Sequence, residues 1–133
     1  MEQIAWDRSM TVGVEILDDD HRKLLDMFNG LLEIEITQED RGDLDRLLSA
    51  LGDYTDRHFA REEEMMERCG FPDLDRHKAA HRFFIAEIGK LRDDFESDNT
   101  MMLRIDLILL LKQWLIEHIQ TTDKQYQPFM EKC

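Results

Sequence analysis

Proline and glycine are scarce in this chain of 133 residues, with Pro 2 and Gly 6. A turn-rich β fold needs both at its reversals, so their scarcity favours helices. The two cysteines, Cys69 and Cys133, make no metal-ligand spacing and no disulfide framework. Cys69 reads as a small residue at a helix end and Cys133 as an exposed terminal thiol. Basic residues are few against acidic ones, 17 to 30, which leaves a formal net charge of −13. Such a surface repels phosphate backbones and anionic headgroups, so neither nucleic-acid binding nor a basic membrane-surface patch is expected. Long hydrophobic runs are missing as well. The greasiest stretch, Leu107 to Leu111, is flanked by Asp106 and Lys112 and falls far short of a membrane span. The start, Met1-Glu2-Gln3, lacks a positive segment followed by an apolar one, so no secretory signal is expected and the chain reads as soluble and cytoplasmic.

What the chain does have is helical periodicity. Its length suits one domain with a real core. Residues 1–17 form an irregular arm, with Ile4, Trp6, Met10, Val12, Val14, Ile16 and Leu17 scattered among polar residues, too apolar for a free tail. A first helix is predicted from the Asp18-Asp19-Asp20 run, whose acids suit a helix N-terminus. Its stripe is His21, Leu24, Leu25, Phe28, Leu31 and Leu32. After a polar connection over Thr37 to Gly42, a second helix runs from about Asp43 to Arg68. It carries Leu44, Leu47, Leu48, Leu51, His58, Glu62, Met65 and Met66, and ends at Cys69-Gly70-Phe71-Pro72 with Gly70 as a left-handed cap.

Asp73 can cap a third helix, striped by Leu74, His77, His81, Phe84, Ile85, Ile88, Leu91 and Phe95. Beyond a turn over Glu96 to Thr100, a fourth presents Leu103, Leu107, Leu110, Leu111, Trp114 and His118, then continues through Asp123 and Tyr126 to Pro128. Four long amphipathic helices on short connections predict an all-α, antiparallel four-helix bundle over residues 18–128. Ile105, Leu109 and Ile116 lie opposite the core stripe of the fourth helix, where the N-terminal arm is expected to cover them, with oligomer contact as the alternative.

The histidines turn this bundle into a candidate metal site. All five fall on the apolar stripes: His21, His58 with Glu62 four residues on, His77 with His81 four residues on, and His118 with Asp123 five residues on. Residues four apart on an α-helix are offset by only roughly 40°, so each such pair points at one target. One histidine on an apolar stripe is more often a satisfied core residue than a ligand. Five with two carboxylates would be a large, poorly paired polar cluster if no metal held them. Glu63 and Glu64, out of phase with His58, read as a solvated charge run. The spacing from His118 to Asp123 is roughly 140° on a straight helix. Either the helix is distorted near Thr121-Thr122 or Asp123 reaches in from its last turn.

Seven such donors exceed the four of a structural zinc site and suit two six-coordinate ions. If both carboxylates and one oxide or hydroxide bridge the ions, each ion needs three more donors. Five histidines fill all but one of those six places and leave an opening for a small exogenous ligand. Imidazole with carboxylate is compatible with iron.

The pattern resembles the bacterial single-domain hemerythrins over nearly the whole chain. The resemblance is carried by Trp6-Asp7 and Val12-Gly13-Val14, Asp20-His21-x-x-Leu24, His58-Phe59-x-x-Glu62-Glu63-x-x-Met66, Gly70-Phe71-Pro72, His77-x-x-x-His81, and Trp114-Leu115-x-x-His118-Ile119 with Asp123 and Tyr126. It implies one hemerythrin-like domain over residues 1–133, with up-down-up-down helices and an oxo- or hydroxo-bridged pair of iron ions. It implies too that His77, His81 and His118 hold the saturated iron and His21 with His58 the iron with the opening, while Glu62 and Asp123 bridge. The family shows the His-x-x-x-x-Asp spacing and binds O2 reversibly at its diferrous centre, so O2 transport, storage or delivery is the implied role. Phe59, Trp114, Leu115 and Ile119 match the lining of the family's O2 pocket. Asp20 departs from the pattern, since many bacterial members carry Gln there; the position flanks the site and bears on local tuning.

Two other functions fit the pattern: an O2 or redox sensor acting through a partner, and a ferritin-like di-iron oxidase or peroxidase. Iron repair and nitric oxide handling stand further back. The oxidase class uses Glu-x-x-His motifs, and no histidine here has Glu three residues before it. O2 is the expected partner, with an O2-consuming enzyme beyond it, no direct membrane insertion, and a monomeric chain.

Overall fold

The computed structural model describes residues 3–33, 41–98 and 102–133. Among them every regular element is helical: α1 (Glu15–Glu33), α2 (Arg41–Arg68), α3 (Leu74–Glu96) and α4 (Leu103–Leu109), with a closing α5 (Gln127–Glu131). Each helix packs on the next and α4 returns to α1, closing a four-helix bundle. Leu24, Phe28, Leu51, Phe84, Leu107 and Leu111 are fully buried at its centre, as the predicted stripes require.

Helix starts depart from the sequence reading. α1 begins at Glu15 rather than Asp18, because Gly13 turns the chain with φ 75 and the Asp18 amide already donates to Val14 O at 2.9 Å. The arm therefore ends before residue 15, and the three aspartates lie inside the helix. Asp18 instead ties the arm down: its carboxylate accepts from Thr11 Oγ1 at 2.6 Å and the Val12 amide at 2.8 Å. Farther out, the Ile4 amide donates to Asn29 Oδ1 and Asn29 Nδ2 to Ile4 O, both at 2.8 Å. α2 starts at Arg41 and takes in Gly42. The rest of the connection expected from Thr37, and the end of the turn expected at Thr100, lie outside the described residues.

Gly70 ends α2 as expected, with φ 74 and the Phe71 amide closing onto Met66 O at 3.0 Å. Asp73 sits at the start of α3, but its side chain makes no capping hydrogen bond. Ile85, placed on the core stripe, is 40% exposed; the arm buries Ile116 to 9% yet leaves Ile105 at 46% and Leu109 at 39%. The described part of the arm crosses the fourth helix beyond Leu109, where Trp6 and Met10 line one cavity with Ile116.

The two cysteines overturn the reading of unpaired thiols: Cys69 and Cys133 form a disulfide across 64 residues, with Cα atoms 5.3 Å apart. A small second core of Val12, Leu17, Met66, Phe71, Tyr126 and Met130 packs the chain's end against the end of α2, and brings them together. Nothing in their spacing announces it.

The fourth helix is the least regular. Beyond Leu109 it widens into π-helical segments over Leu110–Ile116 and His118–Thr122, then tightens into a 3-10 turn over Asp123–Tyr126. The Asp123 amide bonds His118 O, five residues back.

Candidate metal centre

Each bundle helix delivers donors to one buried point. His21 comes from α1, His58 and Glu62 from α2, His77 and His81 from α3, and His118 and Asp123 from the widened fourth helix, and all seven are 5% exposed or less. The awkward spacing of the last pair has a backbone cause. In a π-helix the hydrogen-bonded, same-face pair is i and i+5 rather than i and i+4. The distortion expected near Thr121-Thr122 is this wound segment, and it carries Asp123 round to the side of His118.

The donors form two groups that share the carboxylates. In the first, His77 Nε2 and His118 Nε2 lie 2.9 and 3.0 Å from Asp123 Oδ1. His81 Nε2 and His77 Nε2 lie 3.0 and 3.4 Å from Glu62 Oε1. In the second, Glu62 Oε2 faces His21 Nε2 at 3.1 Å and His58 Nε2 at 3.2 Å. Asp123 Oδ2 lies 3.2 Å from His21 Nε2. Glu62 thus turns Oε1 to His77 and His81 and Oε2 to His21 and His58, while Asp123 turns Oδ1 to His77 and His118 and Oδ2 to His21.

These atoms face one another without being hydrogen-bonded pairs throughout. Nε2 of His77, His81 and His118, with Glu62 Oε1 and Asp123 Oδ1, are buried with no hydrogen-bond partner, a costly arrangement for polar atoms in a dry core. Donors at 2.0–2.2 Å from one ion and at right angles to each other lie about 3 Å apart. The observed separations are of that size, so the residues fit metal ions: Glu62, His77, His81, His118 and Asp123 as one group, His21, His58 and Glu62 as the other.

Burial opposes charge on these groups, and pairing overrides it. At His21, hydrogen bonds to Asp123 and Glu62 outweigh burial and raise the ring to about 10. The same carboxylates raise His77 to about 9. Glu62 is held well below the usual carboxylate range, against burial, by His58, His21 and His77. Asp123 is lowered too, against burial and the like charge of Glu62, by His118 and His21.

A surrounding layer, most of it invisible to helical phase, orients these donors. Tyr126 Oη donates to Glu62 Oε2 at 2.8 Å. Asp20 Oδ2 lies 3.0 Å from His58 Nδ1. Glu63, read from the sequence as solvated, meets His81 Nδ1 at 3.1 Å, because the ring turns its far side toward the edge of α2. Phe59 stacks on His81 with centroids 3.8 Å apart, and Trp114 on His118 at 4.4 Å. A small cavity lies at the other group, beside His21, lined by Leu24, Phe28, Leu115, Ile116 and Ile119 with Trp6 and Met10 of the arm. Leu115 and Ile119 therefore border this space; Phe59 and Trp114 pack against the three-histidine group instead.

A four-helix bundle with a buried box of imidazoles and shared carboxylates defines a non-haem metal-binding protein. The Hemerythrin HHE cation binding domain matches residues 12–130, and the chain belongs to that family. It is 31% identical over 126 residues to a bacteriohemerythrin of Stenotrophomonas maltophilia, covering 95% of this chain and 80% of that one. It is 32% identical over the same length to myohemerythrin-1 of Phascolopsis gouldii, covering 93% of that protein. A crystal structure of wild-type hemerythrin superposes with a TM-score of 0.86 at 29% identity, covering 97% of this chain and 98% of that one.

Proposed function

We propose that this protein binds O2 reversibly at a non-haem di-iron centre and serves O2 transport, storage or delivery. His77, His81 and His118 would hold one iron and His21 with His58 the other, with Glu62 and Asp123 bridging. The observation that carries this reading is the unequal sharing of two carboxylates between three imidazoles on one side and two on the other. It supports a position for an exogenous ligand on the two-histidine side only. Two ferrous ions held there would supply the electrons with which O2 is taken up and returned.

The chain's own contribution is orientation and dryness. The stacked Phe59 and Trp114 hold the rings of His81 and His118 in place. The cavity beside His21 presents apolar side chains, which keep water and protons from the bound ligand. Carriage rather than oxidation is favoured because three imidazoles, two bridging carboxylates and one oxide or hydroxide would fill all six positions of the iron at His77, His81 and His118, leaving a single opening in the pair. No described helix is long and apolar enough to cross a membrane.

Anaerobic reduction of iron-loaded protein, then O2 exposure followed by visible spectroscopy, tests the proposal. The expected result is two irons per chain and a colour that forms with O2 and disappears under vacuum over several cycles. One metal per chain would sink the dinuclear reading. Irreversible oxidation with steady turnover under added reductant would replace the carrier with an oxidase.

A further inference from the structure

Asp20 precedes His21 in sequence, yet its side chain serves a different histidine. It is 5% exposed and reaches from α1 onto α2, where three residues converge on its carboxylate. Tyr54 Oη donates to Oδ1 at 2.8 Å, Arg61 Nη1 donates to the two oxygens at 2.9 and 2.8 Å, and Oδ2 lies 3.0 Å from His58 Nδ1. Positions 54, 58 and 61 are successive members of one face of α2. A buried carboxylate gripped by a guanidinium and a phenol has its position and charge fixed before it meets the imidazole.

The other histidine of the same donor group is built differently. His21 Nδ1 is buried with no hydrogen-bond partner among the described residues. His81, in the larger group, has a carboxylate on Nδ1, but that of Glu63, whose side chain is 26% exposed. His58 is thus the histidine whose outer nitrogen is held by a buried, clamped anion.

We propose that Asp20, clamped by Arg61 and Tyr54, is the positioning residue of His58: it holds the proton on Nδ1, leaves Nε2 free to bind metal, and makes His58 the stronger donor of the two-histidine group. The inference rests on the reading of the seven buried residues as ligands of two ions. A ligating imidazole gains basicity when its far N–H is held by a carboxylate, and loss of such a partner typically weakens metal binding about 10- to 100-fold. In Asp20 that effect falls on the metal with the ligand opening alone.

The test uses iron-loaded full-length protein with Asp20→Ala and Asp20→Asn, read by iron loss to a chelator and by redox titration, with circular dichroism to confirm the fold. In Asp20→Ala one of the two ions is expected to leave about 10- to 100-fold faster than in wild type while the other keeps its rate. Asp20→Asn keeps an acceptor for Nδ1 but not the charge, so most of the retention should return while the midpoint potential moves upward, an anion near the iron having been removed. Wild-type chelator resistance in Asp20→Ala, loss of both ions at one rate, or an unchanged potential in Asp20→Asn would overturn the proposal and leave the metal centre standing. Wild-type protein that takes up no iron would overturn both.

Discussion

Tyr126 donates a hydrogen bond of 2.8 Å to Oε2 of Glu62, the carboxylate oxygen that also faces His21 and His58. The phenol is fully buried, and its proton is held tightly by burial and by the charges of Glu62 and Asp123. It therefore serves as a donor that stays a donor. Tyr126→Phe keeps the ring and removes that bond, and a hydrogen bond to a charged group is worth about 1.5–3 kcal/mol. The expected outcome is a lower melting temperature and a shifted visible spectrum of the iron-loaded protein with two irons still bound. An unchanged spectrum would restrict Tyr126 to packing.

Leu115 is 1% exposed and lines the cavity beside His21. Truncation to Ala opens that space toward the two-histidine group. Oxygenated Leu115→Ala protein should lose its colour faster than wild type while iron content stays near normal, with a stability cost of about 2 to 5 kcal/mol. Stopped-flow O2 binding and the decay of the oxygenated spectrum measure it. A correctly loaded variant with unchanged decay would place control of access elsewhere.

Acidity and metal should act on stability with opposite signs at alkaline pH. In the metal-free protein His21 at about 10 and His77 at about 9 lie above the ordinary value of about 6.5. Their stabilising contribution is complete below about pH 6.5 and is lost as pH rises through 9 and 10. Glu62 and Asp123, both lowered, contribute above the ordinary carboxylate range and lose that contribution as pH falls. Metal-free protein should accordingly melt highest near about pH 5–6.5. Metal affinity should instead rise with pH, because ligating histidines must give up their protons. Melting curves of metal-free and iron-loaded protein from pH 5 to 10 check both limbs; a metal-free melting temperature that climbs toward pH 10 would contradict the paired histidines.

The disulfide closes a loop of 64 residues between the end of α2 and the chain terminus. A cross-link of that reach typically contributes about 2–4 kcal/mol by restricting the unfolded chain. Cys133→Ser is expected to lower the thermal midpoint by a corresponding amount, and thiol labelling of denatured wild-type protein should find no reactive cysteine. Quantitative labelling at both positions would refute the pairing.

Much of this centre was legible because helical phase is a strong local signal. His58 with Glu62, and His77 with His81, share faces by the geometry of 3.6 residues per turn, and a histidine on an otherwise apolar stripe stands out against its neighbours. The same regularity made His118 and Asp123 awkward, since straight-helix phase separates them. The backbone resolves the conflict by widening to i+5 hydrogen bonds.

The sequence by itself determined that the chain is helical, where most of the buried stripes lie and which seven residues are candidate donors, because these depend mainly on spacing within one helix. Only the tertiary structure decided which oxygen of Glu62 and Asp123 faces which histidines, that Asp20 and Glu63 hold the outer nitrogens of His58 and His81, and that Cys69 meets Cys133. Each of those is a contact between helices, and its geometry follows from how the apolar faces pack, which no periodicity within a single helix encodes.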